Sequence, residues 1–596
     1  MQNDNKNLIA FVVITALVVI AYQTFIIGPA AKQAQAARAL QVAQPPAAAA
    51  AAAPAEPHLS RAQALALSPR VIIDTPGLAG SLSLQGARVD DLLLKTYRQS
   101  VAKTSPPVEL LRPEGMADAY FAETGWLGAN LPGLPTPQST WMLASGSRLS
   151  PGAPIVLTYA SPSGLTFSRR IDVDARSMFT ITDTVTNPGA AAVTLTPYVS
   201  VQRQGLPPGL GRSSIVHEGA IGVLGVGQPQ LQLTSYKSWK KKGDIDWQSQ
   251  GGWFGITDKY WMTAFIPNQG ETIAAQARVT HDRATGIDIY EATYTGQARA
   301  IAPGGTLTET SHLFAGAKTV PLLNAYKKAL AIPRFDDAVD WGHLWFLTKP
   351  IFWLLEFFYQ RVGNFGVSIL MLTVVIRLLT FPLANKGYEM GVKMKKIQPE
   401  LQAMQKRLKD DPAAQQKEMM ALYAREKVNP VTGCLPMLLQ IPIFYSLTKL
   451  FTVTIEMYHA PFFGWIHDLS ARDPTTIFNL FGLIPWDPST APLIGAILGG
   501  MLHVGIWPLA YGVTMWLSTS MTPQTGIDPT QQMLFKLMPL MFTFILAQYS
   551  VGLLIYWTWS SLITIVQQYV MMRRFKVDNP IDDFLHRFAA KPKAPG

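Results

Sequence analysis

The chain has 596 residues, of which 48% are hydrophobic and only 15% charged. Soluble proteins carry about 25% charged residues, so the composition points to a membrane protein with room for a soluble domain of ordinary size. The net charge of +11 is spread over several segments, as the cytoplasmic flanks of membrane helices require, and Cys434, the only cysteine, excludes an internal disulfide or a cysteine-built metal cluster.

The nine histidines show no HxxxH or HExxH spacing, and no P-loop, dinucleotide-binding glycine pattern or GxSxG elbow occurs. Nucleotide-driven and hydrolytic chemistry therefore have no support, and no catalytic residue, metal or cofactor is expected.

In chain order, Leu8 to Gly28 is one apolar stretch after Lys6. It exceeds the 7–15 residues usual for a cleaved signal core and is read as an uncleaved anchor, making 1–28 the first segment. Residues 29–59, rich in Ala, Pro and Gln, read as a linker. Residues 60–335 read as an all-β sandwich. In 178–186, Thr180, Thr182, Thr184 and Thr186 alternate with Phe179, Ile181 and Val185; after the turn Asn187-Pro188-Gly189, a second alternating run carries Val193, Leu195, Val199 and Val201. Two period-2 runs around a turn predict a hairpin. Further strands are expected near 214–226, 252–266, 273–280 and 286–295. His217, His281 and Asp258 read as scattered surface polar residues.

Residues 336–361 change character. Trp341, Leu344, Trp345, Leu347, Ile351, Leu354, Leu355 and Phe358 recur at helical spacing, which predicts an amphipathic helix suited to a membrane interface. Residues 362–384 are long enough to span a bilayer core yet contain Arg377. A guanidinium there costs roughly 2.5–3.5 kcal/mol on insertion scales. Position alone leaves two readings open, snorkelling toward headgroups or a hydrated cavity.

Residues 385–430 hold ten Lys or Arg against six acidic residues and predict a basic cytoplasmic helical hairpin broken at Asp410-Asp411-Pro412. Its methionines at 390, 394, 404, 419 and 420 either seal the two arms together or offer a soft surface to clients. Within 431–572, four further spans are expected at 434–454, about 498–520, 532–549 and 552–571; the third-to-fourth boundary is poorly fixed around 491–521. Residues 455–490 carry only Arg472 among basic residues, whereas the tail 573–596 carries six Lys or Arg. Six spans starting inside place the β domain and 455–490 outside and both basic segments inside.

Particular motifs carry a resemblance. They include Gly363-Asn364-Phe365-Gly366, Gln398-Pro399, Glu418-Met419-Met420-Ala421-Leu422-Tyr423, Lys427-Val428-Asn429-Pro430, Gly433-Cys434-Leu435-Pro436, Gln440-Ile441-Pro442-Ile443-Phe444, Trp465-Ile466-His467-Asp468-Leu469-Ser470 and Gln567-Gln568. From about 341 to 572 the sequence resembles the YidC insertases of the YidC/Oxa family, and more loosely from Gly252 to Pro267. The resemblance implies an α-helical polytopic inner-membrane protein, with five of six helices forming the insertase core and a mutarotase-like β-sandwich in the periplasm. It implies that nascent transmembrane segments enter the bilayer alone or beside the Sec translocon, and that the protein also acts as a membrane chaperone, with no enzymatic activity.

In that family an intramembrane arginine lies in a hydrophilic groove open to cytoplasm and lipid, which favours the cavity reading for Arg377. Groove or client-contact positions implied with it are Thr373, Ile441, Phe444, Tyr556 and Trp557, with Gln440 and Thr373 hydrating the wall. Lys393, Lys395, Lys396, Lys406 and Arg407 on the hairpin are expected to meet the ribosome, targeting factors or anionic lipid, without recognising a nucleic-acid sequence. The turn before the last span reads Tyr549-Ser550-Val551-Gly552 in place of the relatives' aromatic-Pro-small-Gly. Two alternatives stand beside this reading. A solute transporter with Arg377 as an anion site predicts internal repeats, and none is visible; a sugar enzyme on an anchor needs a convergent acid and base, and no compelling pair is visible.

Overall fold

The structure is a computed structural model that describes residues 58–589 except 130, 208–209, 211–215, 284, 410, 429, 492–493, 501 and 522–528. The anchor 1–28 and nearly all of the linker 29–59 lie outside the described residues. The chain divides into two compact units. One runs to Pro350 and adds Ser446–Ala460; the other comprises Ile351–Tyr445 and the chain from Pro461 onward.

In the first unit, two sheets of eleven and nine strands form a sandwich, antiparallel apart from a short parallel pair between Arg70–Asp74 and Arg148–Leu149. The expected strands occur at Gly219–Leu224, Trp253–Thr257, Trp261–Ile266, Thr272–His281 and Asp288–Thr295. The alternation in Met178–Thr186 holds: the four threonines are half-buried while Phe179, Ile181 and Val185 enter the core.

The expected hairpin is corrected. Met178–Thr186 pairs with Thr306–Ala317 and Thr166–Val173 in one sheet, whereas Val193–Gln204 pairs with Tyr120–Leu127, Asp288–Thr295 and Arg299–Ile301 in the other. The turn changes sheets instead of reversing within one. Asn187 secures the crossing by donating from Nδ2 to the Ala191 oxygen at 2.8 Å and the Ile301 oxygen at 3.2 Å. Leu195, Val199 and Val201 then enter the same core as Phe179, Ile181 and Val185. Period-2 alternation specifies a buried face but not the neighbouring strand.

Asp183 occupies an inward position that the alternation leaves apolar elsewhere. Its carboxylate accepts from Arg169 Nε at 2.7 Å and Nη2 at 2.8 Å, and from Trp126 Nε1 at 2.9 Å. The Arg169 guanidinium, fully enclosed, sits 4.7 Å from the Trp141 ring.

The surface reading of His217 and Asp258 is also corrected. Asp258 accepts from the buried Arg203 at 2.6 Å, and His217 Nε2 lies 2.9 Å from the Ala220 oxygen, with burial lowering its pKa. Isolated polar letters in a β pattern do not disclose that a buried guanidinium waits for them. His281 is exposed and faces Asp288 at 2.9 Å.

Among the described residues from Trp345 onward, the longer helices are α1 (Trp345–Val362), α2 (Phe365–Arg407), α3 (Pro412–Arg425), α4 (Pro430–Val453), α5 (Ile506–Met521), α6 (Pro529–Leu546), α7 (Val551–Arg574) and α8 (Pro580–Ala589). The amphipathic helix begins at Trp345 rather than 336, because Asp336 and Asp337 are held outside it, both accepting from Lys349 Nζ at 2.7 and 2.8 Å. Trp345, Phe346, Trp353 and Phe357 are exposed.

The expected boundary at 384/385 is no helix end: α2 runs 43 residues, about 65 Å, through Pro382 and Pro399. The helix expected near 498–520 begins at Ile506; between it and α4 the described residues form short helical turns at Ile455–Met457, Ile477–Gly482, Pro488–Thr490 and Gly495–Leu498.

The start of α2 is tightly packed. Asn364 caps it by accepting from the Val367 N–H at 3.1 Å. A Cβ added at Gly366 meets Phe462 Cδ2 at 1.9 Å. Gly366→Ala is therefore expected to destabilise the helical unit by about 1–3 kcal/mol, the usual cost of overpacking. Thermal unfolding in detergent checks this, and adding Phe462→Ala should restore part of the loss; an unshifted single variant would contradict the packing.

Candidate functional site

Arg377 lies on α2 among Val374, Leu378, Leu379 and Phe381, all exposed apolar side chains, yet is itself half-buried. Its guanidinium turns to α7, where Ser560 Oγ accepts from Nε at 2.9 Å and from Nη2. Ser560 is 3% exposed. Among the described residues no carboxylate pairs with Arg377. A guanidinium carries five donors, and a neutral hydroxyl here takes two.

One turn before Ser560, Tyr556 is 1% exposed, and its hydroxyl accepts from Gln440 Nε2 on α4 at 3.2 Å. Three helices thus bring Arg377, Ser560, Tyr556 and Gln440 into one polar line inside an apolar bundle.

Beside this line stands an aromatic cluster. Phe444 stacks on Trp557 at 5.0 Å with an interplanar angle of 4°. Tyr511 and Tyr549 meet the same indole at 5.8 and 5.6 Å. Trp557 is only 4% exposed, so these rings enclose it. Ile441 and Leu438, three residues apart on α4, point outward and are more than half exposed. Thr373 is fully buried, and its hydroxyl donates to the Ile369 oxygen at 2.7 Å. Its side chain is thereby spent on its own helix, whereas Gln440 reaches the polar line.

Sequence reasoning missed Ser560, Tyr511 and Tyr549. The i, i+4 spacing of Tyr556 and Ser560 put both on one face of a helix, but a lone serine gives no sign of an arginine partner until α2 and α7 are paired. The turn Tyr549-Ser550-Val551-Gly552 is fixed without proline: Val551 and Gly552 donate their N–H groups to the Ala471 and Leu469 oxygens at 2.7 and 3.1 Å.

The hairpin sorts its charges. Met394, Ile397, Leu401, Met404, Leu422 and Val428 form its core with Met390 and Met419 against it, so these methionines seal the arms; Met420 alone of the five is exposed. Arg407 pairs with Glu418 across the arms, and Lys393 pairs with Glu389 at 2.9 Å along its own helix. Lys395 donates to the Asp578 oxygen at 2.7 Å, and burial lowers its pKa. Lys396 lies 5.8 Å from the Phe575 ring. Lys406 is exposed.

Comparison with known proteins bears on the family. Residues 70–354 match the model of the YidC periplasmic domain, and residues 357–579 match that of the 60Kd inner membrane protein family. The membrane protein insertase YidC of Caulobacter vibrioides strain NA1000 is 54% identical over 99% of both chains. That of Bradyrhizobium diazoefficiens is 44% identical over 96% of this chain and 97% of its own. The crystal structure of an active YidC insertase with its first transmembrane domain resolved aligns at 16% identity and a TM-score of 0.34, covering 84% of this chain and 92% of that one. The curated relatives and the family model favour the insertase reading over the solute-transporter alternative. With relatives this similar over its whole length, the chain belongs to the YidC family of membrane protein insertases of the bacterial inner membrane.

Proposed function

We propose that this insertase passes the polar flank of a client along the line Arg377–Ser560–Tyr556–Gln440 while the client's apolar helix leaves past Ile441, Leu438 and Phe444. The observation that supports this reading is a half-buried arginine in an apolar segment whose partner is a neutral hydroxyl. An arginine placed for structure alone would be neutralised by a carboxylate; here donors remain for acidic residues or carbonyls of a translocating tail.

The physical obstacle is an apolar layer about 30 Å thick. Each unpaired backbone group costs several kcal/mol within it. A polar line reaching part way shortens that barrier. Partition of the apolar helix into lipid then supplies the free energy, which fits a chain without a nucleotide motif. Thr373, buried and internally bonded, supports this wall as packing, and Trp557 backs the aromatic face against which the client slides.

The topology belongs to the same reading: six spans, both termini cytoplasmic, the sandwich and 455–490 periplasmic, and the anchor 1–28, linker 29–59, sandwich 60–335, interfacial helix 336–361, hairpin 385–430 and tail 573–596 as functional segments. The partners are nascent transmembrane segments, components of the Sec translocon, membrane lipid, and a ribosome or targeting factor at the hairpin, where Lys406 is the most available of the predicted contacts. Comparing insertion of clients with acidic and neutral tails by wild-type and Arg377→Ala protein tests the proposal; equal effects on both would contradict it.

A further inference from the structure

Lys449 is the one charged residue in the sequence of α4. A lysine near the end of an apolar helix ordinarily snorkels, keeping its ammonium in water. Lys449 is instead 4% exposed, and its Nζ donates to Asp340 Oδ2. Both residues belong to the unit that contains the sandwich, which α4 enters at Ser446.

Asp340 is held in place from its own side. Its neighbours Val339 and Trp341 are 1% and 4% exposed, and the Trp341 indole donates to the Asp336 oxygen at 2.9 Å. The Oδ2 atom that Lys449 engages also accepts from the His217 N–H at 3.0 Å. The lysine thus meets a carboxylate fixed on the sandwich.

The nine residues after Lys449 extend the attachment. Ile455, 2% exposed, packs with Tyr260 and Ala317. Glu456 Oε1 accepts from the Val320 N–H at 2.9 Å, in the first turn of the helix Val320–Ala329, where an acidic group is favoured. The Tyr458 hydroxyl donates to the Arg98 oxygen at 2.8 Å, and its ring meets Tyr260 at 5.2 Å and Trp261 at 5.7 Å.

We infer that Lys449 is a positioning residue for insertion: through Asp340 it locks the end of α4 to the sandwich and so sets Phe444 against the client. Lys449 lies five residues beyond Phe444, about 8 Å along the helix, with no Gly or Pro between them. Displacement of one is therefore carried to the other. The aromatic and apolar contacts supply area but tolerate sliding and rotation. A buried ion pair adds little net stability, yet its geometry selects one register. This role deepens the client path proposed above and rests on α4 forming part of it.

The test compares full-length wild type, Lys449→Met and Lys449→Arg in lipid vesicles. Lys449→Met keeps an unbranched side chain and leaves Asp340 its bond from His217, so the sandwich stays folded, as its denaturant midpoint checks. Insertion is followed with a neutral-tailed client, which keeps the readout independent of the Arg377 charge. Spin labels on Ile441→Cys and Val566→Cys, in a Cys434→Ser background, report the distance between α4 and α7. Lys449→Met is expected to slow insertion by about tenfold, within the loss that a misplaced positioning element causes, and to broaden the 441–566 distance distribution. Lys449→Arg, which keeps the charge on Asp340, should restore both. Slow insertion with an unchanged distribution overturns the proposal, because the pair then serves the sandwich alone. Wild-type insertion and an unchanged distribution in Lys449→Met also overturn it, as does a Lys449→Arg protein as defective as Lys449→Met. Broadening without slower insertion places α4 off the client path, and the proposal falls with the reading it rests on.

Discussion

Arg377→Ala should slow insertion of clients with acidic translocated tails by about tenfold to a hundredfold and leave neutral-tailed clients nearly unchanged. A hydrogen bond to a charged group contributes about 1.5–3 kcal/mol, and each 1.4 kcal/mol is a factor of ten. The guanidinium offers that interaction because Ser560 occupies two of its donors and no described carboxylate neutralises it. Arg377→Lys keeps the charge but loses the forked geometry toward Ser560, so it should restore acidic-tailed clients in part. Ser560→Ala removes the acceptor that aims the arginine and should fall between wild type and Arg377→Ala. Protease protection of the client's tail in vesicles containing the purified chain measures all four proteins. Wild-type rates for Arg377→Ala with acidic tails would remove the electrostatic role.

Asp183→Ala should lower the stability of the β-sandwich by about 3–5 kcal/mol, the cost of leaving one partner of a buried ion pair without the other. Arg169 is fully enclosed, and with Asp183 gone the Thr124 oxygen at 3.1 Å is its remaining hydrogen-bond acceptor in the structure. Trp126 also loses the acceptor of its indole N–H. Replacing both partners, Arg169→Met with Asp183→Leu, should recover most of the loss, because an apolar pair of similar volume avoids desolvating two charges. Denaturant unfolding of the full-length protein followed by tryptophan fluorescence distinguishes these outcomes. An unchanged midpoint for Asp183→Ala would show that the pair contributes nothing net.

Particular residues show what a sequence discloses. The threonines of Met178–Thr186 marked its half-buried face correctly, but the partner strands lie more than a hundred residues away at Thr306–Ala317 and nearby at Thr166–Val173, and alternation encodes neither. The composition changes from apolar to basic near Lys386, while the helix itself continues to Arg407 because nothing there removes enough backbone bonds to end it. Arg377 stood out because a charge in an apolar run is costly wherever it lies. Ser560 did not, since a serine in a helix is ordinary. Likewise the five hairpin methionines fit either reading until the two arms were paired, and then four of them turned inward.

The most direct test of the insertion path is site-specific photo-crosslinking to a ribosome-stalled membrane-protein chain in inverted vesicles. Probes at Leu438, Ile441 and Phe444 are compared with a control at Val566, exposed on α7. The path predicts strong crosslinks from the first three and weak ones from Val566. Equal yields at all four positions, or none at the first three, would contradict passage along the α2–α4–α7 face.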